Sequence, residues 1–318
     1  MKVLNQVPSL ADIEAAHRRI QPWIHYTPVL KCKSINELSG CSIFFKCENF
    51  QKVGAFKMRG ASNAILSLEE EQLSKGIATH SSGNHAQAVA LAAKNVGAKA
   101  YIVMPKNAPK VKVAAVKGYE AEVIFCEANI AARETTLNKV VEDTGATFIH
   151  PFDNYRVIAG QATAALELLE EIERLDVLMA PVGGGGLISG TALTTHYLSP
   201  HTKIIAGEPK GADDAYRSVK AGKIIPSVNP QTIADGLLTS LSDKTFSIIR
   251  EHVSEIITVS DEEIIEAMRL IWERMKILIE PSSAVPLAAL IQQKNRFVDQ
   301  RIGIILTGGN IDLDKLPF

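Results

Sequence analysis

Gly54-Ala55-Phe56-Lys57-Met58-Arg59-Gly60 sets a lysine between an apolar Phe56 and a helix-forming run over residues 58–68. A lysine at a helix start meets the positive end of the helix dipole, and partial burial also disfavours its charge. Both effects lower its pKa. An amine made neutral in this way can condense with a carbonyl as a Schiff base. Taken alone, such a lysine reads more simply as a surface residue with its ammonium in water. Two distant motifs change that balance.

The first is Ser81-Ser82-Gly83-Asn84-His85, after a short apolar segment at 76–79 and before an alanine-rich helix over 86–96. Small and capping residues at a strand-to-helix turn leave backbone N–H groups unpaired, which makes an anion site suited to a substrate carboxylate. An ordinary serine or asparagine N-cap would look the same locally. The second motif is Pro181-Val182-Gly183-Gly184-Gly185-Gly186-Leu187, between an apolar strand at 177–180 and a helix over 188–197. Consecutive glycines let backbone wrap closely around a phosphate at a helix N-terminus. The spacing excludes a dinucleotide fingerprint. Counting G-x-G-x-x-G from Gly183 puts the third glycine at Ile188, and from Gly184 at Ser189, and no Walker lysine follows. A monophosphate cradle fits.

The remaining chain alternates apolar strand candidates with amphipathic helices. Strands are expected at 43–46, 77–80, 100–104, 122–125, 147–150, 177–181, 204–207, 256–259 and 302–306. Helices are expected at 12–20, 111–117, 131–143, 157–172, 261–275 and 283–293. That alternation predicts an α/β protein whose parallel sheets are covered on both faces. With 318 residues, 46% of them hydrophobic, the chain can bury a core large enough for two domains. A formal net charge of −1 gives no reason to expect nucleic acid or an anionic membrane as partner. No apolar run approaches a membrane span, and the amino terminus lacks an apolar signal segment. Cys32, Cys41, Cys47 and Cys126 form no C-x-x-C pair, so a reducing, cytoplasmic setting is expected.

Together the three motifs resemble the fold type II pyridoxal-phosphate enzymes (the tryptophan synthase β-like fold), and within them the serine racemase and serine/threonine dehydratase family. The resemblance spans nearly the whole chain, from Ile24-His25-Tyr26-Thr27-Pro28-Val29-Leu30 and Phe45-Lys46-Cys47-Glu48-Asn49-Phe50-Gln51 onward. It continues through Val157-Ile158-Ala159-Gly160-Gln161, Ile233-Ala234-Asp235-Gly236 and Ile279-Glu280-Pro281 to Thr307-Gly308-Gly309-Asn310. It implies a large cofactor-binding domain, residues 1–75 and 146–318, a small mobile domain, residues 76–145, and a cofactor in the cleft between them. Sequence alone marks no such boundary.

The resemblance also implies roles. Lys57 would carry pyridoxal phosphate and, once released, act as base at the substrate Cα–H. Gly183, Gly184, Gly185, Gly186 and Leu187 would bind the phosphate. Asn84 would reach the ring hydroxyl, Phe56 would pack on the ring, and Gly236 would leave room on its other face. Thr307 would meet the pyridine nitrogen with a neutral hydroxyl; many relatives have serine or cysteine there. Ser81, Ser82, Gly83, Asn84 and His85 would hold the substrate carboxylate. Ser82 would face Lys57 across the substrate carbon, so that a proton can leave on one side and return on the other. Racemisation and β-elimination of a small hydroxy amino acid share every step up to the carbanion.

Glu208 and Asp214, with the Ala212 carbonyl, match the family's divalent-cation site, for magnesium or else calcium or manganese. By spacing alone they read equally as an acid-decorated helix start. Lys52, Gln87, Tyr119, Lys276 and Asn310 match positions that bind ATP at a homodimer interface in animal serine racemases, although Lys31-Cys32-Lys33-Ser34 departs from that group's adjacent serines. Arg133, beside Glu134 and near Glu127, reads either as a surface ion pair or as a reader of a second substrate carboxylate. Serine/threonine dehydration or serine racemisation is the expected activity, with threo-3-hydroxyaspartate dehydration as the alternative. A non-catalytic cofactor carrier would tolerate damage at Lys57, Ser82 or Thr307, and none is damaged. A nicotinamide-dependent dehydrogenase lacks its glycine spacing. Cysteine synthase-like β-replacement is the other rival within the enzyme class.

Overall fold

A computed structural model describes residues 4–108 and 110–318. Residues 1–3 and 109, inside the expected domain ranges, lie outside the described residues. Among the described residues ten strands form two sheets: β1 Val29–Leu30, β2 Ser42–Cys47, β3 Ile77–His80, β4 Ala100–Pro105, β5 Glu122–Cys126, β6 Thr147–Phe148, β7 Val177–Pro181, β8 Lys203–Pro209, β9 Glu255–Val259 and β10 Arg301–Leu306. The larger sheet has the order β1-β2-β10-β7-β8-β9 and the smaller β5-β4-β3-β6. Every neighbouring pair is parallel except β1 with β2.

Buried parallel strands read as unbroken apolar runs because helices cover both faces, and β7 is buried at every position. Alternate residues serve opposite layers. Val177 and Met179 join the core with Val285, Leu287 and Ala289 of the helix Pro281–Gln292. Leu178 and Ala180 pack with Ala164 and Leu168 of Tyr155–Glu171 and with Ile188 and Ala192 of Gly186–Leu198. The antiparallel β1, at the edge of the larger sheet, adds a strand to those expected from the sequence. At two residues it is too short to show a period, and its register, Val29 opposite Lys46, comes from contact with β2. The helices Lys33–Ser39, Glu70–Lys75, Asp214–Ala221 and Asp243–His252 add to those expected from the sequence. In the smaller sheet, β6 lies beyond residue 145 and pairs with β3, so that sheet extends to Phe148.

The helix Lys57–Ile65 joins the two halves. Met58, Ala61, Ala64 and Ile65 share a core with Ile77, Ile102 and Met104 of the smaller sheet and with Val89 of the helix Asn84–Asn95. On its other side a glycine seam brings three helices close together. A Cβ on Gly160 would stand 2.6 Å from the Gly60 Cα, and one on Gly190 2.7 Å from the Ile158 carbonyl oxygen. Through Tyr155–Glu171, the lysine's helix and the glycine loop's helix are therefore held in one rigid block.

Arg59 fixes the same helix electrostatically, from full burial. It pairs side-on with Glu48 (2.7 and 2.8 Å) and end-on with Glu167 (2.7 and 2.7 Å), and it donates to the Thr163 hydroxyl at 3.1 Å. Lys46, also fully buried, joins Glu167 at 2.7 Å and the Thr27 carbonyl at 2.6 Å. Two buried cations thus meet two buried anions with their donors used, the condition under which such charges are tolerated inside a protein.

Candidate active site

Lys57 opens its helix and is half-buried in the cleft between the sheets. Its Nζ donates to the Pro151 carbonyl at 3.2 Å and stands 5.1 Å from the Phe56 ring centre. Burial lowers its pKa to about 8, opposed by the negative charge of Glu280. The Phe56 N–H donates to the Thr307 carbonyl at 3.0 Å, and Ala55 bridges Gly308, which ties the lysine to the end of β10. The Thr307 hydroxyl is buried and has no partner among the described residues. Since buried hydroxyls are normally satisfied, an unpartnered one here fits the nitrogen of a heteroaromatic ring.

The glycine loop leads into the helix Gly186–Leu198, with Gly185 in the left-handed region at φ 85°. A Cβ on Gly184 would come within 2.3 Å of the Phe152 ring, and one on Gly183 within 2.9 Å of the Leu237 Cα. Among the described residues the N–H groups of residues 183–186 donate to nothing, which leaves a row of donors at a helix start. Gly236 donates to the Ser282 hydroxyl at 3.0 Å, and a Cβ there would stand 2.9 Å from that oxygen. The orphaned hydroxyl and the free donors together suit a phosphorylated heteroaromatic ring.

Asn84 opens the helix Asn84–Asn95. It donates to both Glu280 oxygens (2.9 and 3.1 Å) and accepts from Asn310 at 2.9 Å. In the sequence Glu280 stands out only as part of a motif. Burial, then the nearby Asp235, raise its carboxyl to about 7. An acid directly before Pro281, at a helix start, was the available signal. Ser81 accepts from the Gly83 N–H at 3.3 Å, while the half-buried Ser82 hydroxyl bonds to no described residue. His85 is buried. Its Nε2–H donates to the Ile149 carbonyl at 3.0 Å, its Nδ1 has no partner, and burial together with Lys57 pushes its pKa down to about 3. Sequence reasoning missed His80 and His150, whose rings lie 6.5 Å apart; the charge of Lys57 reaches His150 and that of Arg133 reaches His80. Neither sits in a motif with a spacing of its own.

Arg133, in Ile130–Thr144, ion-pairs with neither Glu134 nor Glu127; Lys106 takes Glu127. The Arg133 Nε is buried without a partner, and its charge reaches His80. Glu208 lies on β8 and caps the helix Asp214–Ala221, accepting from the Ala215 and Tyr216 N–H groups at 2.8 Å each. The acid-decorated helix start is what the structure displays: Asp214 opens the helix, and among the described residues its buried Oδ2 has no partner. Burial raises Glu208 to about 8 and Asp214 to about 6. Among the described residues no three His, Cys, Asp or Glu side chains converge, so a cation here would depend on carbonyl oxygens such as that of Ala212 and on water.

Gln87 and Asn310 line a cavity of about 420 Å³ with Lys112, Asp235 and Asp312, whereas Lys52, Tyr119 and Lys276 are not in its lining. Lys112 and Asp235 close across it at 2.7 Å. No helix among the described residues is long and apolar enough to cross a membrane.

Residues 20–308 match the family model described as pyridoxal-phosphate dependent enzyme. A beta-hydroxyaspartate dehydratase of Paracoccus denitrificans is 52% identical over 98% of this chain and 99% of its own length. The solved serine racemase of Dictyostelium discoideum is 53% identical with a TM-score of 0.92, covering 96% of this chain and 99% of that one. A solved threonine deaminase of T.th. is 45% identical with a TM-score of 0.92, over 96% and 99%. By sequence and by fold, this chain belongs to the pyridoxal-phosphate dependent enzyme family.

Proposed function

We propose that this enzyme removes water from L-serine or L-threonine, giving a 2-oxo acid and ammonia, and also interconverts the serine enantiomers. The observation that carries the reading is Lys57, an amine weakened by burial and held by a single neutral carbonyl, beside a cradle of unpaired donors. Pyridoxal phosphate, when bound, supplies an electron sink for the pair left at the substrate Cα. The N–H groups of residues 183–187 would hold its phosphate, the Thr307 hydroxyl its ring nitrogen, and Lys57 its carbonyl carbon. Phe56 and the bare Gly236 would flank the ring, and Asn84 would meet its hydroxyl.

The Lys57 Nζ would take the Cα proton. The turn Ser81-Ser82-Gly83-Asn84-His85 binds the α-carboxylate through N–H groups. Ser82 Oγ, on the opposite face, returns a proton when racemisation rather than elimination follows. A third group, Arg133, favours a second reading, the dehydration of threo-3-hydroxyaspartate: its buried unpartnered Nε suits an additional carboxylate. The relatives named beta-hydroxyaspartate dehydratase and serine racemase support both readings.

We place a divalent cation, magnesium first, at Glu208, Ala212 and Asp214, and ATP as an activator around Gln87 and Asn310. The chain acts as a cytoplasmic homodimer in this reading, and its small domain, residues 76–145 together with β6, closes on the substrate. Incubation with L-serine, D-serine, L-threonine and threo-3-hydroxyaspartate, assaying 2-oxo acid and enantiomer together, tests it. No product from any of the four would overturn it.

A further inference from the structure

His150 lies where the chain crosses from β6 back into the larger half, in the segment Ile149-His150-Pro151-Phe152-Asp153. That segment is tied to the cleft at three points. The His85 Nε2–H and the Thr79 hydroxyl both donate to the Ile149 carbonyl, at 3.0 and 2.9 Å. The Pro151 carbonyl receives the Lys57 ammonium at 3.2 Å. The Phe152 ring fills the space beside Gly184.

The geometry decides the tautomer of His150. Its Nδ1 faces two N–H donors of its own segment, Asp153 at 2.8 Å and Phe152 at 3.3 Å, so Nδ1 must accept. Neutral imidazole carries one proton, which then sits on Nε2. The ring stays neutral because burial lowers its pKa to about 4; the positive charge of Lys57 works in the same direction, Asp153 against it. Edge contacts with Phe152 at 4.6 Å, Phe148 at 5.5 Å and His80 at 6.5 Å fix the ring plane. No described residue accepts from Nε2, and that atom is not sealed from solvent. His150 is thus a locked hydrogen-bond donor beside the amine that takes the Cα proton.

From this we infer that His150 is a specificity-determining residue, whose Nε2–H donates to the oxygen on the substrate's β-carbon. The inference rests on the functional reading above. The β-carbon is one bond from the Cα that Lys57 serves, whereas the α-carboxylate is assigned to the turn before His85. A neutral imidazole holds and orients that oxygen while keeping its own proton; the C–O bond breaks as the Lys57 Nζ returns the proton taken from Cα, so the group leaves as water, and leaving groups that accept a hydrogen bond gain while those that do not are unaffected.

His150→Asn is the informative variant, because the asparagine Oδ1 can still accept from the Phe152 and Asp153 N–H groups while the distal donor is lost. Turnover of L-serine is compared with turnover of β-chloro-L-alanine, whose leaving chloride is a poor acceptor. The expected result is a fall of about tenfold in kcat/KM for L-serine and a change within about twofold for the chloro compound. Equal losses on both, or none on either, would overturn the inference. Wild-type turnover of the two amino acids checks the functional reading separately, before any variant is made. If the asparagine variant does not fold, imidazole ¹⁵N spectra of the wild-type holoenzyme decide. The Nε2–H signal should shift with 3-hydroxypropionate and not with propionate, and an unmoved signal would exclude the donor role.

Discussion

Two residues apart on one helix, Arg59 and Lys57 illustrate opposite uses of a buried cation. Arg59 has five N–H groups, and each has an acceptor at 3.1 Å or closer. Lys57 makes one hydrogen bond, at 3.2 Å, to a neutral carbonyl. Around Arg59 lie Glu48, Glu167 and Lys46, all satisfied. Beside Lys57 the Thr307 hydroxyl and His85 Nδ1 have no partner among the described residues, and neither has the Arg133 Nε, whose charge reaches His80. A polar group is left unpaired in a protein interior only at a cost, so a cluster of such groups marks the place where a ligand completes the structure. The saturated network carries stability and the unsaturated one carries chemistry.

Substitutions at the two positions should fail in different ways. Lys57→Ala should lose the cofactor's covalent absorbance and lower turnover by at least about 10³-fold, with the melting temperature little changed. Turnover near the wild-type rate would remove Lys57 from the mechanism. Arg59→Met should act in reverse order, on stability first. It strands Glu48 and Glu167 as buried, uncompensated anions, and removing one partner of such a pair costs roughly 3–5 kcal/mol. Denaturant unfolding measures this, and a loss below about 1 kcal/mol would show that the network relaxes without its centre.

The same contrast explains what could be read in advance. β7 and residues 302–306 of β10 were visible because strands covered on both sides read as unbroken buried runs without charge, and the glycine loop because its close approaches to Phe152 and Leu237 exclude side chains. The saturated network was invisible. Arg59 meets Glu167 across 108 positions of sequence, and neither residue has a local pattern that announces burial. Glu280, His80 and His150 were missed for the same reason, since their character comes from neighbours on other elements. Short elements such as β1 depend on contact rather than on periodicity.

Ser82 tests whether the unsaturated side has two working faces. Ser82→Ala should reduce D-serine formation from L-serine by about 10²-fold while dehydration falls by less than about tenfold, because only racemisation needs a proton returned from that side. An unchanged rate of D-serine formation would reduce Ser82 to a turn residue.

Glu208 and Asp214 are intermediate between the two regions, since the first is hydrogen-bonded by two N–H groups and the second keeps an orphan oxygen. Both have folded-state pKa values above the ordinary carboxylate range near 4, at about 8 and about 6. The folded chain therefore binds more protons than the unfolded chain between those limits, and without a cation stability falls as pH rises through that window. A bound divalent cation replaces those protons. Magnesium should raise the melting temperature clearly at about pH 8 and much less at about pH 5.5, through preferential binding to the folded state. The pair Glu208→Gln and Asp214→Asn should remove both the slope and the response. A magnesium effect that ignores pH, or survives both substitutions, would place the ion elsewhere.

Arg133 offers the finest discrimination, and the smallest effect. Its Nε is buried and unpaired, and its charge reaches His80 at the end of β3, so it belongs with the unsaturated groups. An exposed arginine that merely decorates a helix would contribute to no ligand in particular. One that completes a carboxylate site should distinguish ligands by their second carboxylate, since a charged hydrogen bond contributes more than a neutral one. Arg133→Ala should therefore weaken threo-3-hydroxyaspartate, and malonate as a competitor, by about tenfold while leaving the KM for L-serine within about twofold. All three ligands meet one variant in one cleft, so a general loosening of the small domain would affect them alike. Equal losses would assign Arg133 to domain closure, and the enzyme would then stand as a serine/threonine dehydratase with no dedicated site for an acidic substrate.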